Sequence, residues 1–387
     1  MRDWSLQSEL DDLRAQDLWR ELRTLDAGEE QQVMRDGRLV VNFSSNDYLG
    51  LAGSEVLHAA LEDGLAKHSG GSGASRLVCG TQRAHTELEE ALAAFKGTQA
   101  ALSFSSGYAV ALGVIPALLS RGDTIILDKL CHASLVDAAR LSGATIRVFP
   151  HNHVEKLARL LATASGRVLI VTESIFSMDG DAAALREIIE LKEQHGAWLL
   201  LDEAHAVGVL GPQGRGLAAQ LGLEGRVELH MGTLSKALGL SGGYLAASRV
   251  VIDLLINRAR SFIYSTAPPP FLAHAAARML AHVASDDGDA RRQKLQNHVS
   301  SLQTAISAPA RPAAILPLIL GAESLALKSS AALLAAGFLV PAIRFPTVAR
   351  GSARLRISLS AAHSTQQVTQ LAAALTAYLP PENKASV

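Results

Sequence analysis

The sequence predicts an α/β fold: a mostly parallel central sheet with helices on both faces, plus a smaller C-terminal α/β domain. From about residue 86 to 247, short apolar runs alternate with amphipathic stretches, the pattern that builds strand–helix–strand units. The central runs lack alternating polarity, as strands covered on both faces should. Pro268-Pro269-Pro270 then breaks the pattern, and a long helix-favouring stretch follows.

In chain order, Trp4, Leu6, Leu10, Leu13 and Leu18 recur at helical spacing and mark an N-terminal arm, residues 1–44. The arm has no apolar stretch flanked by basic residues, so it is not read as a signal peptide. Gly70-Gly71-Ser72-Gly73-Ala74-Ser75-Arg76 reads as a flexible loop that can cross to a partner subunit. Its spacing and the lack of a preceding strand exclude a dinucleotide fingerprint. Thr86-Glu87-Leu88-Glu89 has the form of a capping box, with Leu88, Leu92 and Phe95 on one helix face. Strands are expected at Ala100–Phe104, Thr124–Leu127, Thr145–Phe149, Val168–Thr172, Trp198–Leu201, Glu228–Met231 and Gly243–Ala247. Between two of them, Leu185, Ile188, Ile189 and Lys192 fall at helical spacing. A large domain of residues 45–274 is expected, then a small one of residues 275–387, with packed Ala-rich helices near 274–284 and 328–336. An α/β stretch lies beyond Ala308, and a polar tail begins at Pro380.

With 387 residues, 48% hydrophobic and 19% charged, the chain can bury a large core. Its net charge of −1 gives no field to draw nucleic acid or an anionic membrane surface. Cys79 and Cys131 are the only cysteines, too few for a disulfide framework and without metal-ligand spacing. No apolar run approaches membrane-spanning length. A cytoplasmic protein is expected, with no metal.

The chemistry gathers at strand ends. Leu199-Leu200-Leu201-Asp202 delivers a carboxylate to the end of one apolar run, and Glu228–Gly232 delivers Thr233 and Lys236 to the end of another. Open α/β sheets bind ligands outside the carboxyl ends of their strands. Pyridoxal phosphate needs a lysine amine for its aldehyde, an acid for its ring nitrogen and a seat for its phosphate. Lys236 and Asp202 supply the first two. Ser105-Ser106-Gly107-Tyr108 opens a helix after a strand, so it reads as the phosphate seat or as a plain strand-to-helix turn. His132, after the run ending at Leu127, reads as a ring-stacking group that bonds a substrate carboxylate, or as a core histidine. His205, three residues past Asp202, is placed for the cofactor's ring oxygen and for proton transfer. In Thr172–Asp181, Glu173 is the functional candidate, Gly180 suits a tight turn, and Asp181 is expected to cap the next helix. Arg354 and Arg356 share one face of a strand, either as a carboxylate clamp or on a solvated edge.

Taken together, Ser44-Ser45-Asn46-Asp47-Tyr48-Leu49-Gly50, Gly71–Arg76, His132-Ala133-Ser134, Phe176–Asp181, Asp202–Gly216, Thr233–Gly239 and Ile263-Tyr264-Ser265-Thr266 resemble the α-oxoamine synthases, fold-type-I pyridoxal phosphate enzymes. The resemblance runs from about residue 40 to 365. Ile263–Thr266, Ala342-Ile343-Arg344, Pro346-Thr347-Val348 and the compact length resemble the biotin-pathway member, which joins a pimeloyl thioester to L-alanine. They favour it over the glycine-using ligase and the aminolevulinate and sphingolipid members.

The resemblance implies that Lys236 binds the cofactor covalently, Asp202 pairs with its ring nitrogen and His205 contacts its ring oxygen. Gly107, Tyr108, Ser177 and Thr233 would hold the cofactor, with Thr266 supplied by the second subunit of a homodimer that shares its active sites. His132 would stack on the ring, while Arg20, Ser352 and Arg356 would touch substrate. Phe345, Ala349 and Arg350 depart from the family's run there, which bears on acyl-chain contacts and not on the chemistry. An aminotransferase on the same fold and a catalytically silent subunit are the competing readings. The presence of Lys236, Asp202 and His205 argues against the second.

Overall fold

The computed structural model describes residues 4–28 and 31–378; the polar tail from Pro380 lies outside the described residues. The chain forms two compact units. One comprises the N-terminal segment to Ser45 with the chain from Leu295, and the other is Asn46–Lys294.

The larger unit is built on seven strands: β1 (Ala100–Phe104), β2 (Thr124–Asp128), β3 (Thr145–Phe149), β4 (Val168–Glu173), β5 (Trp198–Asp202), β6 (Leu229–Thr233) and β7 (Gly243–Ala247). All seven expected strands are present, with ends that differ by at most two residues. Their order is β1-β7-β6-β5-β4-β2-β3. β2 to β6 pair in parallel, whereas β7 runs antiparallel to both β1 and β6. The apolar runs have a direct consequence: β1, β2, β6 and β7 are buried at every residue, while edge strand β3 is largely open. Ile125, Ile170, Leu200 and Leu201 are each fully buried, worth roughly 1.5–3 kcal/mol apiece against exposure.

The helix Gly107–Leu118 packs on this sheet through Val110, Val114 and Ile115. Its approach to the sheet requires a missing side chain. A Cβ on Gly243 would stand 2.6 Å from the Gly107 nitrogen, so glycine at the start of β7 lets that helix begin against the sheet edge. The helix-favouring stretch after the prolines forms Pro270–Val283 and Asp286–Ala305.

Two local expectations fail for physical reasons. The helix with Leu88 and Leu92 starts at Arg83, where His85 Nδ1 accepts the Gln82 N–H at 3.1 Å, so Thr86 lies inside it. Glu89 turns away from the helix end. It receives both terminal nitrogens of Arg76, at 2.9 and 3.1 Å, and the Ser103 backbone N–H at 2.9 Å. A bidentate ion pair with Arg76 at 5% side-chain exposure outweighs an exposed capping bond. The same pair anchors the end of the Gly70–Arg76 loop. Finally, the helix Leu185–Gln194 has Ala184 at its N-cap, and Asp181 binds His151 instead.

The smaller unit holds a three-stranded antiparallel sheet in the order Ile315–Gly321, Ala353–Ser358, Ala342–Ile343. Helices Glu323–Ala335 and Thr365–Leu375 belong to the same unit. Arg354 and Arg356 therefore sit on the middle strand, each 5% exposed. A solvated edge is ruled out. Phe43 stacks on His363 with ring centres 4.1 Å apart, and the Phe43 carbonyl accepts the Ser358 N–H at 2.8 Å. The arm forms the helix Leu6–Ala15, with Leu6, Leu10 and Leu13 exposed. Among the described residues, no helix is long and apolar enough to cross a membrane.

Candidate active site

Parallel register sets Asp128, Glu173, Asp202 and Thr233 at the carboxyl ends of β2, β4, β5 and β6, with Glu173 directly opposite Asp202. Beyond that edge, Lys236 Nζ lies 2.8 Å from His205 Nε2, and His205 Nδ1 lies 2.6 Å from the Tyr48 hydroxyl. Tyr48 donates to Asn46 Oδ1 at 3.1 Å. That last bond sets a direction for the chain. With its proton committed to Asn46, Tyr48 accepts from His205 Nδ1–H, which leaves Nε2 bare to accept from Lys236. His205 is thus assigned as the neutral Nδ1–H tautomer, gripping the lysine amine from one side.

The acids beside it are tuned by burial. Asp202 accepts the Ala204 N–H at 2.9 Å. Burial raises its pKa, and the Lys236 cation opposes the rise. Glu173 is pushed up to about 8, first by burial and then by the Asp202 charge, and it receives the backbone N–H groups of His132 and Ser177. Its Oε1 has no partner among the described residues. Burial and the Asp202 charge thus favour the protonated form of Glu173, while its bonds to His132 and Ser177 fasten two segments of the site.

His132 caps the helix Ala133–Ser142. Its Nδ1 takes the Ser134 hydroxyl at 2.8 Å and the Ser134 N–H at 3.3 Å, so its proton sits on Nε2. The residue is exposed. Desolvation of the ring still lowers its pKa from 6.5, while Asp202 pulls the other way. A neutral ring with Nε2–H is suited both to stacking and to donating a hydrogen bond.

Ser106 caps the helix at Gly107 by accepting the Ala109 N–H at 3.1 Å. A Cβ on Gly107 would lie 4.0 Å from Thr233 Oγ1, so the helix start and the Thr233 hydroxyl are neighbours. Thr233 Oγ1 in turn stands 2.7 Å from Ser235 Oγ and donates to the Gly242 carbonyl at 2.8 Å. The N–H groups at this helix start, beside the Thr233 hydroxyl, offer donors to an anion, at the same sheet edge as Lys236 and Asp202. That donor set fits pyridoxal phosphate. The Tyr108 hydroxyl bonds Asp137, and the residue is 43% exposed.

The large unit thus brings together Lys236, His205, Asp202 and His132, with Thr233 beside Gly107 and Ser177 tied to Glu173. Thr266 is exposed and forms a β-bridge with Ser75. In the smaller unit Arg20 donates to the Thr347 hydroxyl at 3.1 Å, Arg354 Nε donates to the Ser352 carbonyl at 3.1 Å, and Arg356 donates to the Ser358 hydroxyl at 2.8 Å. Sequence reasoning gave no role to Tyr48, although its Ser-Asn-Asp-Tyr motif was in view. It missed His151 and Asp128 altogether, and their position at strand ends on the same sheet edge was the available signal.

The family model for aminotransferase class I and II matches residues 38–375. The chain is similar to the 8-amino-7-oxononanoate synthase of Herminiimonas arsenicoxydans, 46% identical over 96% of this chain and 98% of the relative. It is 48% identical to the enzyme of the same name from Anaeromyxobacter dehalogenans, over 98% of this chain and 96% of the relative. Among solved structures it is similar to the serine palmitoyltransferase of Sphingomonas wittichii, with TM-score 0.90, 31% identity, and 97% and 98% of the two chains covered. A structure of SPT with a PLP internal aldimine gives TM-score 0.90 at 28% identity, covering 100% of both chains.

Proposed function

The chain belongs to the aminotransferase class I and II family, and on that footing we propose that it makes 8-amino-7-oxononanoate, a step of biotin biosynthesis. The reaction joins L-alanine to a pimeloyl thioester, carried on coenzyme A or a carrier protein, and releases carbon dioxide and the free thiol. Relatives at 46% and 48% identity bearing that name support the reading, as does one observation at the site: the Lys236 amine 2.8 Å from a His205 whose other nitrogen is engaged by Tyr48.

The cofactor is pyridoxal 5'-phosphate, which when bound supplies an electron sink for the bonds at the amino acid's α-carbon. Lys236 would hold it covalently, and the Lys236 amine would take the α-proton from alanine and return one after carbon dioxide leaves. Asp202, deep at the strand end, would keep the ring nitrogen protonated. His205 would aim Lys236 and contact the ring oxygen. His132 would stack on the ring and donate Nε2–H to the substrate. Gly107, Tyr108, Ser177 and Thr233 would seat the cofactor.

Arg20, Ser352 and Arg356 would meet the substrates' carboxylates and acyl chain. The carbon–carbon bond forms at the thioester carbonyl as the thiolate leaves. The resulting β-keto acid then loses carbon dioxide, its electrons being accepted by the adjacent carbonyl. We further propose a cytoplasmic homodimer in which Thr266 completes the partner's site. Its parts would be an arm of residues 1–44, a cofactor domain 45–274 and a small domain 275–387.

A serine- and palmitoyl-using reaction is the second reading, favoured by the structural similarity to serine palmitoyltransferase. Initial rates with alanine, glycine and serine against pimeloyl, acetyl and palmitoyl thioesters separate the two. Alanine with the pimeloyl donor is expected to be the most efficient pair.

A further inference from the structure

Outside the site, His151, just after edge strand β3, is bonded through both ring nitrogens. Its Nδ1 lies 3.0 and 3.2 Å from the two Asp128 oxygens, and its Nε2 lies 2.8 Å from Asp181 Oδ2. A carboxylate oxygen only accepts hydrogen bonds, so each ring nitrogen donates to its carboxylate and the imidazole is a cation; Asn152 Nδ2, 3.3 Å from Nε2, makes its shorter bond to the Ala182 carbonyl at 2.9 Å. The edge of the ring meets Phe176, centres 4.3 Å apart at 85°.

Each carboxylate is the root of a different segment of the site. Asp128 Oδ1 accepts the Leu130 N–H at 2.8 Å and the Asp128 carbonyl accepts the Cys131 N–H at 3.1 Å, shaping the turn that presents His132. Asp181 closes the turn that presents Ser177: its carbonyl accepts the Phe176 N–H at 3.0 Å, and Ile175 bridges Ala182. Asn152, held at φ 54°, adds bonds to the backbone of Ala182 and Ala184 at 2.9 and 3.0 Å.

We propose that His151 is a positioning residue, a charged staple between Asp128 and Asp181 that sets the segment carrying His132 against the segment carrying Ser177. The importance of those two segments rests on the function proposed above. Asp128 and Asp181 are the charged groups facing the ring, and its other neighbours, Phe176 and Asn152, are neutral. Burial opposes the charge, yet the two carboxylates push the His151 pKa up to about 10. The raised pKa gives the staple its sign. Its contribution is complete below the unfolded value near 6.5, declines as pH rises, and is gone once pH passes about 10.

The test begins with imidazole NMR on the cofactor-free protein, the His151 resonance being assigned by its loss in His151→Gln. That signal is expected to stay in the doubly protonated form between about pH 6 and about pH 9. A titration midpoint inside that range overturns the proposal. His151→Gln is also expected to weaken pyridoxal 5'-phosphate binding about tenfold, and to raise KM for alanine more than it lowers kcat. A variant that binds and turns over like the parent overturns it.

Adding Asp181→Asn to His151→Gln removes one of two carboxylates left facing each other, so it should recover part of the lost affinity. Equal losses in the single and double variants would mean that volume, not charge, matters at this position. If His151→Gln fails to fold, Asp181→Asn alone should move the His151 midpoint down by about one pH unit, and no movement would overturn the staple. The titration and the binding constants need no turnover. If the parent enzyme does not condense alanine, the functional reading falls while these measurements still decide the role of His151.

Discussion

Removing the Lys96 amine should destabilise the protein by several kcal/mol, because of what it leaves behind. Lys96 is 2% exposed and its partner Glu203 is fully buried. The amine also donates to the Arg215 carbonyl at 2.6 Å, while Glu203 Oε1 accepts the Ala218 N–H at 3.1 Å. Gly216 lies so close that a Cβ there would stand 2.4 Å from Glu203 Oε1. Against a large burial penalty, Lys96 and then His230 hold the Glu203 carboxyl down at about 2 from 4.5. At about 1.4 kcal/mol per pH unit, that is about 3 kcal/mol. The figure agrees with the roughly 3–5 kcal/mol lost on breaking a buried pair.

The depressed value means the contribution is full above pH 4.5 and lost as pH falls through about 2. Lys96→Met keeps the stem and deletes the charge. Urea unfolding at neutral pH should show a loss of about 3 kcal/mol. Lys96→Met/Glu203→Gln should recover at least about 1 kcal/mol, since it removes the stranded carboxylate. A single variant that loses under about 1 kcal/mol, or a double variant no better than the single, would refute the reasoning.

Two further outcomes are expected. Lys236→Ala should abolish turnover and remove the borohydride-reducible link to the cofactor, while leaving folding intact; labelling at another lysine in the variant would contradict the assignment. Asp202→Asn should retain cofactor but slow hydrogen–deuterium exchange at the alanine α-carbon, because an amide cannot hold the ring nitrogen's proton; near-parental exchange would make Asp202 a purely structural strand end.

Periodicity and composition revealed the central strands because β2, β4 and β5 are dominated by continuous apolar runs, as burial on both faces demands, whereas edge strand β3 is largely open. The proposed centre was legible for the same reason. Asp202, Thr233 and Lys236 follow apolar strands in sequence, and parallel pairing then aligns those ends in space. What escaped notice depends on partners far along the chain. Lys96 and Glu203 are 107 residues apart, and His151 and Asp181 are 30 apart. No local pattern announces either pair. Thr86–Glu89 matched a capping box letter by letter, yet Arg76 and Ser103, brought in by the tertiary fold, made a better use of Glu89. Asp181 was drawn from a helix cap to His151 by the same kind of competition.

The most direct test of the proposed function is product formation by the purified holoenzyme with competing donors. With L-alanine, glycine and L-serine supplied together, alongside pimeloyl, acetyl and palmitoyl thioesters, mass spectrometry should find 8-amino-7-oxononanoate as the main product, with one carbon dioxide released per thiol freed. A dominant product from serine and the palmitoyl donor, or from glycine and the acetyl donor, would contradict the account.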